Sequence, residues 1–306
     1  MRSGPGFGSG TGRSWYKWEA ESAAERCSID NFIDDHRDVI KINMTELLED
    51  EWYAELFGAR LGRAEGNCVF MFGYSHMNSF VKFDKNLKIS VLQQPEDCSF
   101  NEGENSILFG IKTLPASSAF RKAIRETWLN PKIWKWLGYH IKVVFLIGNP
   151  EEIDLSEEVE RHNDLLILDF EESHYNLPYK DIAFLRFIRN HCRADFIFKG
   201  DDDIVLIPQN LVTEIEHLKK TPGKQSFGCL KGPEAVMRHP YFKYFVPKQL
   251  YEPSIYPLYF SGAGYVTTLG FALKLEEQTA QMPVLPLDDT YIGSLIQAAN
   301  MRFVLL

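Results

Sequence analysis

The sequence has 306 residues, of which 45% are hydrophobic and 13% aromatic, and its formal net charge is -9. This composition is typical of a globular protein with a buried core and excludes a disordered chain. The negative charge disfavours nonspecific binding to nucleic acid or to anionic membranes, although it leaves room for a local basic pocket that takes a phosphorylated ligand.

The first third of the chain carries no chemical motif. Residues 1–14 are rich in Gly and Ser and predict a flexible tail, and residues 15–104 form a region to which the sequence assigns no role. Within that region we predict an amphipathic helix at 46–61 and strands at 69–74 and 87–92. No run of about 18 apolar residues is present, so the sequence predicts no membrane-spanning helix.

From residue 106 onward, predicted strands and helices alternate. Strands are predicted at 107–112, 141–148 and 165–169, and a further strand begins at Phe196. Helices are predicted at 117–128, 177–191, 208–219 and 269–278, and one begins at Asp288. A further charged helix is predicted to be capped by the pair Asp154 and Glu157. This alternation implies crossover connections, and therefore an α/β fold with a mainly parallel sheet and helices on both faces.

Three consecutive carboxylates, Asp201 to Asp203, follow the apolar strand that begins at Phe196. They are therefore expected at the carboxyl end of a buried strand, where open α/β sheets bind ligands. Asp201 and Asp203 project to the same side of an extended backbone. Crowded carboxylates repel one another, and hard oxygen ligands of this kind suit Mg²⁺ or Mn²⁺. The alternative interpretation is a solvated acidic turn.

Two later segments add further candidates. Gly262 and Gly264 lie between aromatic residues, which indicates either backbone brought close to a ligand or a tight turn between strands. Asp288 and Asp289 lie at the predicted start of a helix, where carboxylates also serve as simple caps.

The ordered set of motifs resembles the β-1,3-glycosyltransferases, a family that includes galactosyl- and N-acetylglucosaminyltransferases and, more distantly, the fringe proteins. The matching segments follow the order of the family over roughly two thirds of the chain. They lie at residues 121–128, 145–148, 169–180, 192, 198–203, 243–247, 256–265 and 289–293.

The resemblance implies a GT-A fold over residues 105–306, with a Rossmann-like nucleotide-binding half. It also implies transfer of galactose or N-acetylhexosamine, with inversion, from a UDP-sugar to the 3-hydroxyl of a glycan on a glycoprotein or glycolipid. Asp203, with Asp201, is then expected to bind Mn²⁺ or Mg²⁺, which offsets the charge on departing UDP. Asp289, with Asp288 beside it, is expected to be the catalytic base, because a sugar hydroxyl is too weak an acid to ionise at neutral pH.

The same resemblance places a further set of residues around the nucleotide and the donor sugar. They are Arg121, Arg125, Asp169, Tyr175, Asn176, Lys180, Lys199, Asp201, Asp202, Gly262 and Gly264. From the residues alone, Arg121 and Arg125 are equally well explained as a solvated basic helix face. Lys199 is equally well explained by pairing with the aspartates or by structuring the end of its strand.

The chain also departs from the family pattern. Asp288 stands where many members have Glu, and Thr290 stands where Val is common. We expect the chain to be truncated at its C-terminus and to lack the N-terminal membrane anchor. The catalytic domain is expected in the Golgi lumen, where Cys98 and Cys192, two of the five cysteines, flank the catalytic core and are predicted to form a disulfide.

Two other functions stay open. Asp201-x-Asp203 at a strand end also fits a haloacid-dehalogenase-like phosphatase, in which the first Asp attacks phosphorus and the second acts as acid and base. That motif normally opens its domain, whereas at least three strand units precede it here. A catalytically inactive glycan- or UDP-binding relative would retain the fold without transfer, and the intact Asp203 and Asp289 argue against it.

Overall fold

A computed structural model describes residues 87–98, 100, 101, 103–238, 244–248, 250–301 and 303. The predicted tail at 1–14, the helix at 46–61 and the strand at 69–74 lie outside these ranges. The strands and helices below all belong to the compact unit formed by Lys85–Arg238 and Val246–Leu306. Within the described part of the chain, no helix is both long enough and apolar enough to cross a bilayer.

Seven strands form one mixed sheet with the order β1-β4-β3-β2-β5-β7-β6. The four central strands, β4, β3, β2 and β5, are parallel, and β1 pairs with β4 in the antiparallel sense at one edge. At the other edge β7 is antiparallel to both of its neighbours, β5 and β6. The strands are β1 (Val91–Gln93), β2 (Ser106–Lys112), β3 (His140–Ile147), β4 (Leu165–Leu168), β5 (Phe196–Asp201), β6 (Ser226–Lys231) and β7 (Tyr259–Thr268).

Helices cover both faces of this sheet, as predicted. Helices α1, α2 and α5 pack on the face that holds the main apolar core, and α4, α6 and α7 lie against the other face. The helices are α1 (Ser118–Glu126), α2 (Pro131–Trp136), α3 (Ser156–His162), α4 (Leu177–His191), α5 (Pro208–Lys220), α6 (Leu269–Thr279) and α7 (Asp288–Ala298).

The central strand β2 illustrates why the sequence of a buried parallel strand is a nearly continuous apolar run. All seven of its residues are buried. Phe109 packs against the rings of Trp134 and Phe198, with centroids 5.1 and 5.2 Å away, on the main core face. On the opposite face a β-carbon at Gly110 would lie 2.3 Å from the ring of Phe184, so α4 packs closely there. Because both faces are covered, both need apolar or small side chains.

The order of the strands fixes where a ligand crevice forms. From β2 the chain adds β3 and then β4 on one side, and it next places β5 on the other side of β2. This reversal is a topological switch point, and open α/β sheets bind ligands at the carboxyl ends of the strands beside such a point. The ends of β2 and β5, at Lys112 and Asp201, therefore mark the candidate site.

Most of the predicted central elements are confirmed, including α4, whose bounds match the prediction. The predicted Asp154 and Glu157 capping pair is wrong, because α3 begins at Ser156 and its cap position is Leu155. Asp154 instead accepts a hydrogen bond from the backbone N–H of Ser156 at 2.9 Å.

Two findings concern segments at the margins of the predicted domain. The strand predicted at 87–92 is confirmed only in its last two residues, because β1 spans Val91–Gln93 and residues 87–90 are irregular. β1 pairs with β4 and so joins the same sheet. The predicted Cys98–Cys192 disulfide is confirmed, and it ties the segment after β1 to the end of α4. Cys229 is an exposed free thiol.

Candidate active site

The crevice at the switch point is built around a buried lysine that ends β2. Lys112 Nζ donates to Asp288 Oδ2 at the start of α7, and it lies 3.0 Å from Asp201 Oδ1 at the end of β5. One ammonium group thus joins three elements that are far apart in sequence. Burying it without carboxylates would be costly, and so the pairing fixes the start of α7 against the two strand ends.

A second buried lysine, Lys199 in β5, extends this cluster. Its Nζ lies 3.2 Å from Asp288 Oδ2, 4.0 Å from Asp289 Oδ1 and 3.1 Å from Asp181 Oδ2 in α4. The prediction that Lys199 pairs with the aspartates of the 201–203 triplet is therefore wrong, because its observed partners are other aspartates. The aspartates with which it pairs come from α4 and α7.

The two neighbouring carboxylates of α7 have opposite electrostatic environments. Burial alone would raise the pKa of Asp288, but the charges on Lys112 and Lys199 hold that pKa far below its usual range. Burial and the negative charge of Asp288 instead raise the pKa of Asp289 above its usual value. A carboxylate with increased proton affinity is the better proton acceptor. The pair therefore divides into a fixed anion, Asp288, and a candidate base, Asp289.

Gly262 in β7 brings the two acidic clusters together. Its N–H donates to Asp289 Oδ2 at 2.8 Å. A β-carbon at this position would lie 3.0 Å from Asp201 Oδ2 and 3.1 Å from Asp289 Oδ1. Asp201 and Asp289 therefore approach each other across the backbone of Gly262, and a side chain there would occupy the space between them.

The glycines of this segment lie within a strand, so the tight-turn interpretation is wrong. Gly264 has φ +148°, and a β-carbon there would lie 2.6 Å from the ring of Phe198. Gly264 thus lets β7 pack against β5, whereas Gly262 leaves space between carboxylates.

A polar network orders the loop that follows β2. Thr113 Oγ1 donates to Asp202 Oδ2 at 2.6 Å, and the Thr113 carbonyl accepts from Lys180 Nζ at 2.8 Å. Lys180 is only 1% exposed and also pairs with Glu172 at 2.7 Å. Glu172 in turn accepts from the N–H of Gly148, just after β3. Lys180 therefore connects the ends of β2 and β3 with the loop after β4, and its predicted contact with a nucleotide remains a prediction.

Arg121 and Arg125 lie on α1 beside the same loop. Arg121 is fully buried; it pairs with Glu158 at 2.7 Å, and it donates to the carbonyl of Leu114 at 2.6 Å. Arg125 pairs with Glu158 and with Asp164, both at 2.8 Å. The interpretation as a solvated basic face is therefore wrong. A direct role in phosphate binding stays a prediction.

The remaining predicted nucleotide contacts, Asp169, Tyr175 and Asn176, lie in the segment that follows β4. Asp169 Oδ1 accepts from Asn149 Nδ2 at 3.1 Å. Tyr175 is buried in a short 3-10 helix, and Asn176 Nδ2 donates to the carbonyl of Glu171 at 3.0 Å. The fold thus gathers these side chains at the same edge of the sheet as the switch point.

The donor set at the end of β5 suits a cation that shares its ligands with a substrate. Asp203 is exposed, and the side chain of Asp201 is 37% exposed. Among the described residues no group of three or more His, Cys, Asp or Glu side chains could hold a metal ion. Mg²⁺ is commonly bound by one or two carboxylates together with substrate phosphates, so two carboxylates fit such an ion.

Four residues of the site were not predicted from the sequence: Lys112, Thr113, Glu172 and Asp181. Two of these carried a signal, because a charged residue stood where an apolar one was expected. Lys112 ends an apolar strand, and Asp181 lies in a helix in which ten of the fifteen residues are buried. Such residues need a buried partner of opposite charge, but the sequence does not say which one.

Comparison with known proteins supports the expected family. Residues 119–304 match the family model described as Galactosyltransferase. The chain is 33% identical over 218 residues to the N-acetyllactosaminide beta-1,3-N-acetylglucosaminyltransferase 2 of Homo sapiens, covering 68% of this chain and 53% of the relative. It is 31% identical over 189 residues to the beta-1,3-galactosyltransferase 5 of Homo sapiens, covering 60% of each.

A third relative from Homo sapiens is acetylgalactosaminyl-O-glycosyl-glycoprotein beta-1,3-N-acetylglucosaminyltransferase. It is 30% identical over 219 residues, which is 68% of this chain and 56% of the relative. The chain thus spans about half the length of the curated relatives that it matches. The family model covers more than half of the chain and includes β5, β7 and α7, which form the site. The chain therefore belongs to the galactosyltransferase family.

Proposed function

We propose that this protein is an inverting, metal-dependent hexosyltransferase. It transfers galactose or an N-acetylhexosamine from a UDP-sugar to the 3-hydroxyl of an acceptor glycan carried by a glycoprotein or glycolipid. The observation that carries the proposal is the approach of Asp201 and Asp289 across Gly262 at the switch point of the sheet. The relatives are β-1,3-N-acetylglucosaminyl- and β-1,3-galactosyltransferases, which supports the proposed linkage and donor class.

In the proposed reaction, Asp289 accepts the proton of the acceptor 3-hydroxyl as that oxygen attacks the anomeric carbon of the donor. The new C–O bond forms while the bond from the anomeric carbon to the diphosphate breaks, and the electron pair of that bond leaves with UDP. The raised pKa of Asp289 favours this proton transfer. A single displacement inverts the anomeric centre and needs no enzyme nucleophile.

Asp203 and Asp201 are the residues we assign to Mn²⁺ or Mg²⁺. The ion, when bound with the donor, neutralises negative charge on the departing diphosphate. Asp202 is held by Thr113, and we assign it to orienting the acidic segment. Asp288 accepts hydrogen bonds from both Lys112 and Lys199, which hold it as an anion, so we assign to it the role of positioning Asp289.

We further propose that the catalytic domain works in the Golgi lumen. The Cys98–Cys192 disulfide supports an oxidising compartment. The phosphatase alternative is not adopted, because the chain belongs to a different family and β2, β3 and β4 precede the acidic motif.

Two substitutions separate the roles of the acidic clusters. In transfer assays with several UDP-sugars and acceptors, Asp289→Asn is expected to retain UDP binding and to lower kcat by about 10²- to 10⁴-fold, the usual contribution of a general base. Asp203→Ala is expected to weaken metal-dependent UDP binding. Asp154→Asn, at an exposed residue before α3, is the matched control and should behave like the unmodified protein.

Each result against the proposal has a distinct meaning. Transfer that survives Asp289→Asn would show that the base has been assigned to the wrong residue. UDP binding by the unmodified protein without transfer to any acceptor would support the inactive relative instead.

A further inference from the structure

Asp181 is a buried carboxylate that the proposed reaction does not use. It lies in α4 and is only 2% exposed. It forms an ion pair with Lys199, whose Nζ lies 3.1 Å from Oδ2. Neither of its oxygens accepts a well-aligned hydrogen bond from any residue in the described ranges. Nearly all buried polar groups in native proteins are hydrogen-bonded, so this exception needs an explanation.

Stability does not explain the presence of Asp181. Removing a carboxylate from water costs free energy, and a buried ion pair often stabilises a fold no better than apolar groups of the same volume. Lys199 does not depend on Asp181 for a partner, because it also contacts Asp288 at 3.2 Å. Unfavourable local arrangements of this kind concentrate at functional sites.

The position of Lys199 shows what Asp181 can do. The ammonium group contacts Asp181 of α4 at 3.1 Å and Asp288 of α7 at 3.2 Å, and it is 4.0 Å from Asp289 Oδ1. A cavity of about 10 Å³, lined by both Asp181 and Lys199, adjoins the pair. Packing therefore leaves space near the ammonium group, and the opposing charges decide where it rests.

We propose that Asp181 is a positioning residue whose charge holds the Lys199 ammonium group away from Asp289, so that this carboxylate stays available to the acceptor hydroxyl. The inference rests on the function proposed above. Without the charge of Asp181, the attraction of Asp288 and Asp289 draws Lys199 toward α7. A direct hydrogen bond from Lys199 to Asp289 then occupies the oxygen that must accept the proton.

The test compares Asp181→Asn, which keeps the size of the side chain and removes its charge, with Asp195→Asn. Asp195 lies at the opposite end of β5, where it accepts hydrogen bonds from Ser106 at 2.9 Å. For each variant, kcat, the KM for the UDP-sugar, the affinity for UDP and the crystal structure are determined. We expect Asp181→Asn to lower kcat by about 10- to 100-fold through misplacement of the base, with KM and UDP affinity unchanged.

The crystal structure of Asp181→Asn is expected to show Lys199 Nζ within about 3 Å of Asp289, the distance of a charge-assisted hydrogen bond. Asp195→Asn should keep the unmodified kcat. An unchanged kcat in Asp181→Asn, or a parallel loss of kcat and UDP affinity, would overturn the inference. If the unmodified protein transfers no sugar, the proposed function fails. In that case the distance between Lys199 and Asp289 in the variant still decides the inference.

Discussion

The burial of Asp181 leads to a quantitative expectation for stability. Burial is the main cause that raises the pKa of Asp181 from 3.8 to about 6, and Lys199 offsets it only in part. The folded protein therefore binds more protons at this site than the unfolded chain between these two pH values. Stability contributed by the site falls as the pH rises through that range and is constant above it. The difference corresponds to about 3 kcal/mol.

Asp181→Asn removes this pH dependence, because an amide does not ionise. Because pH 4 is already just above 3.8, we expect the stability of the variant relative to the unmodified protein to rise by about 2 kcal/mol between pH 4 and pH 7.5, or about 4 to 8 °C in Tm for a unit of this size. Any packing or hydrogen bonding that the amide loses changes the stability of the variant equally at both pH values. The difference between the two pH values therefore reports only the effect of the charge.

The assay is thermal or urea unfolding of both proteins across this pH range. Asp195→Asn serves as the control, because Asp195 is exposed and lies at the other end of β5. If the variant and the unmodified protein keep a constant stability difference from pH 4 to 7.5, the charge of Asp181 has no net cost and the reasoning is wrong. A gain in stability at neutral pH together with a loss of kcat would place Asp181 among residues that favour function over stability.

Three further substitutions test other parts of the site. In urea titrations, Glu158→Gln should lower the free energy of unfolding by about 2 kcal/mol, because a neutral amide cannot satisfy the guanidinium groups of Arg121 and Arg125. The control is Glu157→Gln, because the side chain of Glu157 is 82% exposed, and it should change the free energy of unfolding by less than about 0.5 kcal/mol. Equal effects of the two would contradict the buried network. Gly262→Ala should lower transfer by about 10-fold or more, because its methyl group displaces Asp201 and Asp289, while Gly270→Ala, with open space around it, should leave transfer intact. Full activity of Gly262→Ala would mean that the gap between the carboxylates is not used. Cys98→Ser should lower the free energy of unfolding by about 4 kcal/mol, since the disulfide closes a separation of 94 residues. Cys229→Ser, which removes a free thiol, should leave the free energy of unfolding almost unchanged when both variants are compared by thermal unfolding. A neutral Cys98→Ser variant would show that the disulfide does not stabilise the fold.

Local sequence features predicted much of the fold. The apolar run of β2 and the pattern that begins at Leu177 gave elements close to those observed, because burial pattern and helix capping depend on neighbours along the chain. The long antiparallel strand β7 was not predicted. Its glycines lower strand propensity, and the reason for them is the approach of Phe198 and of carboxylates from elsewhere in the sequence.

The chemistry available to the site can be recognised in the sequence: an acidic triplet after a buried strand, a second acidic pair at a helix start, and the motifs that the family shares. How those groups divide their roles depends on contacts between residues that are far apart along the chain. The strand order places Lys112 beside Asp201 and Asp288, and the packing of α4 places Asp181 in contact with Lys199. Coulomb interactions act through space, so the identity of each ion-pair partner, and with it the contrast between Asp288 and Asp289, is fixed by the fold.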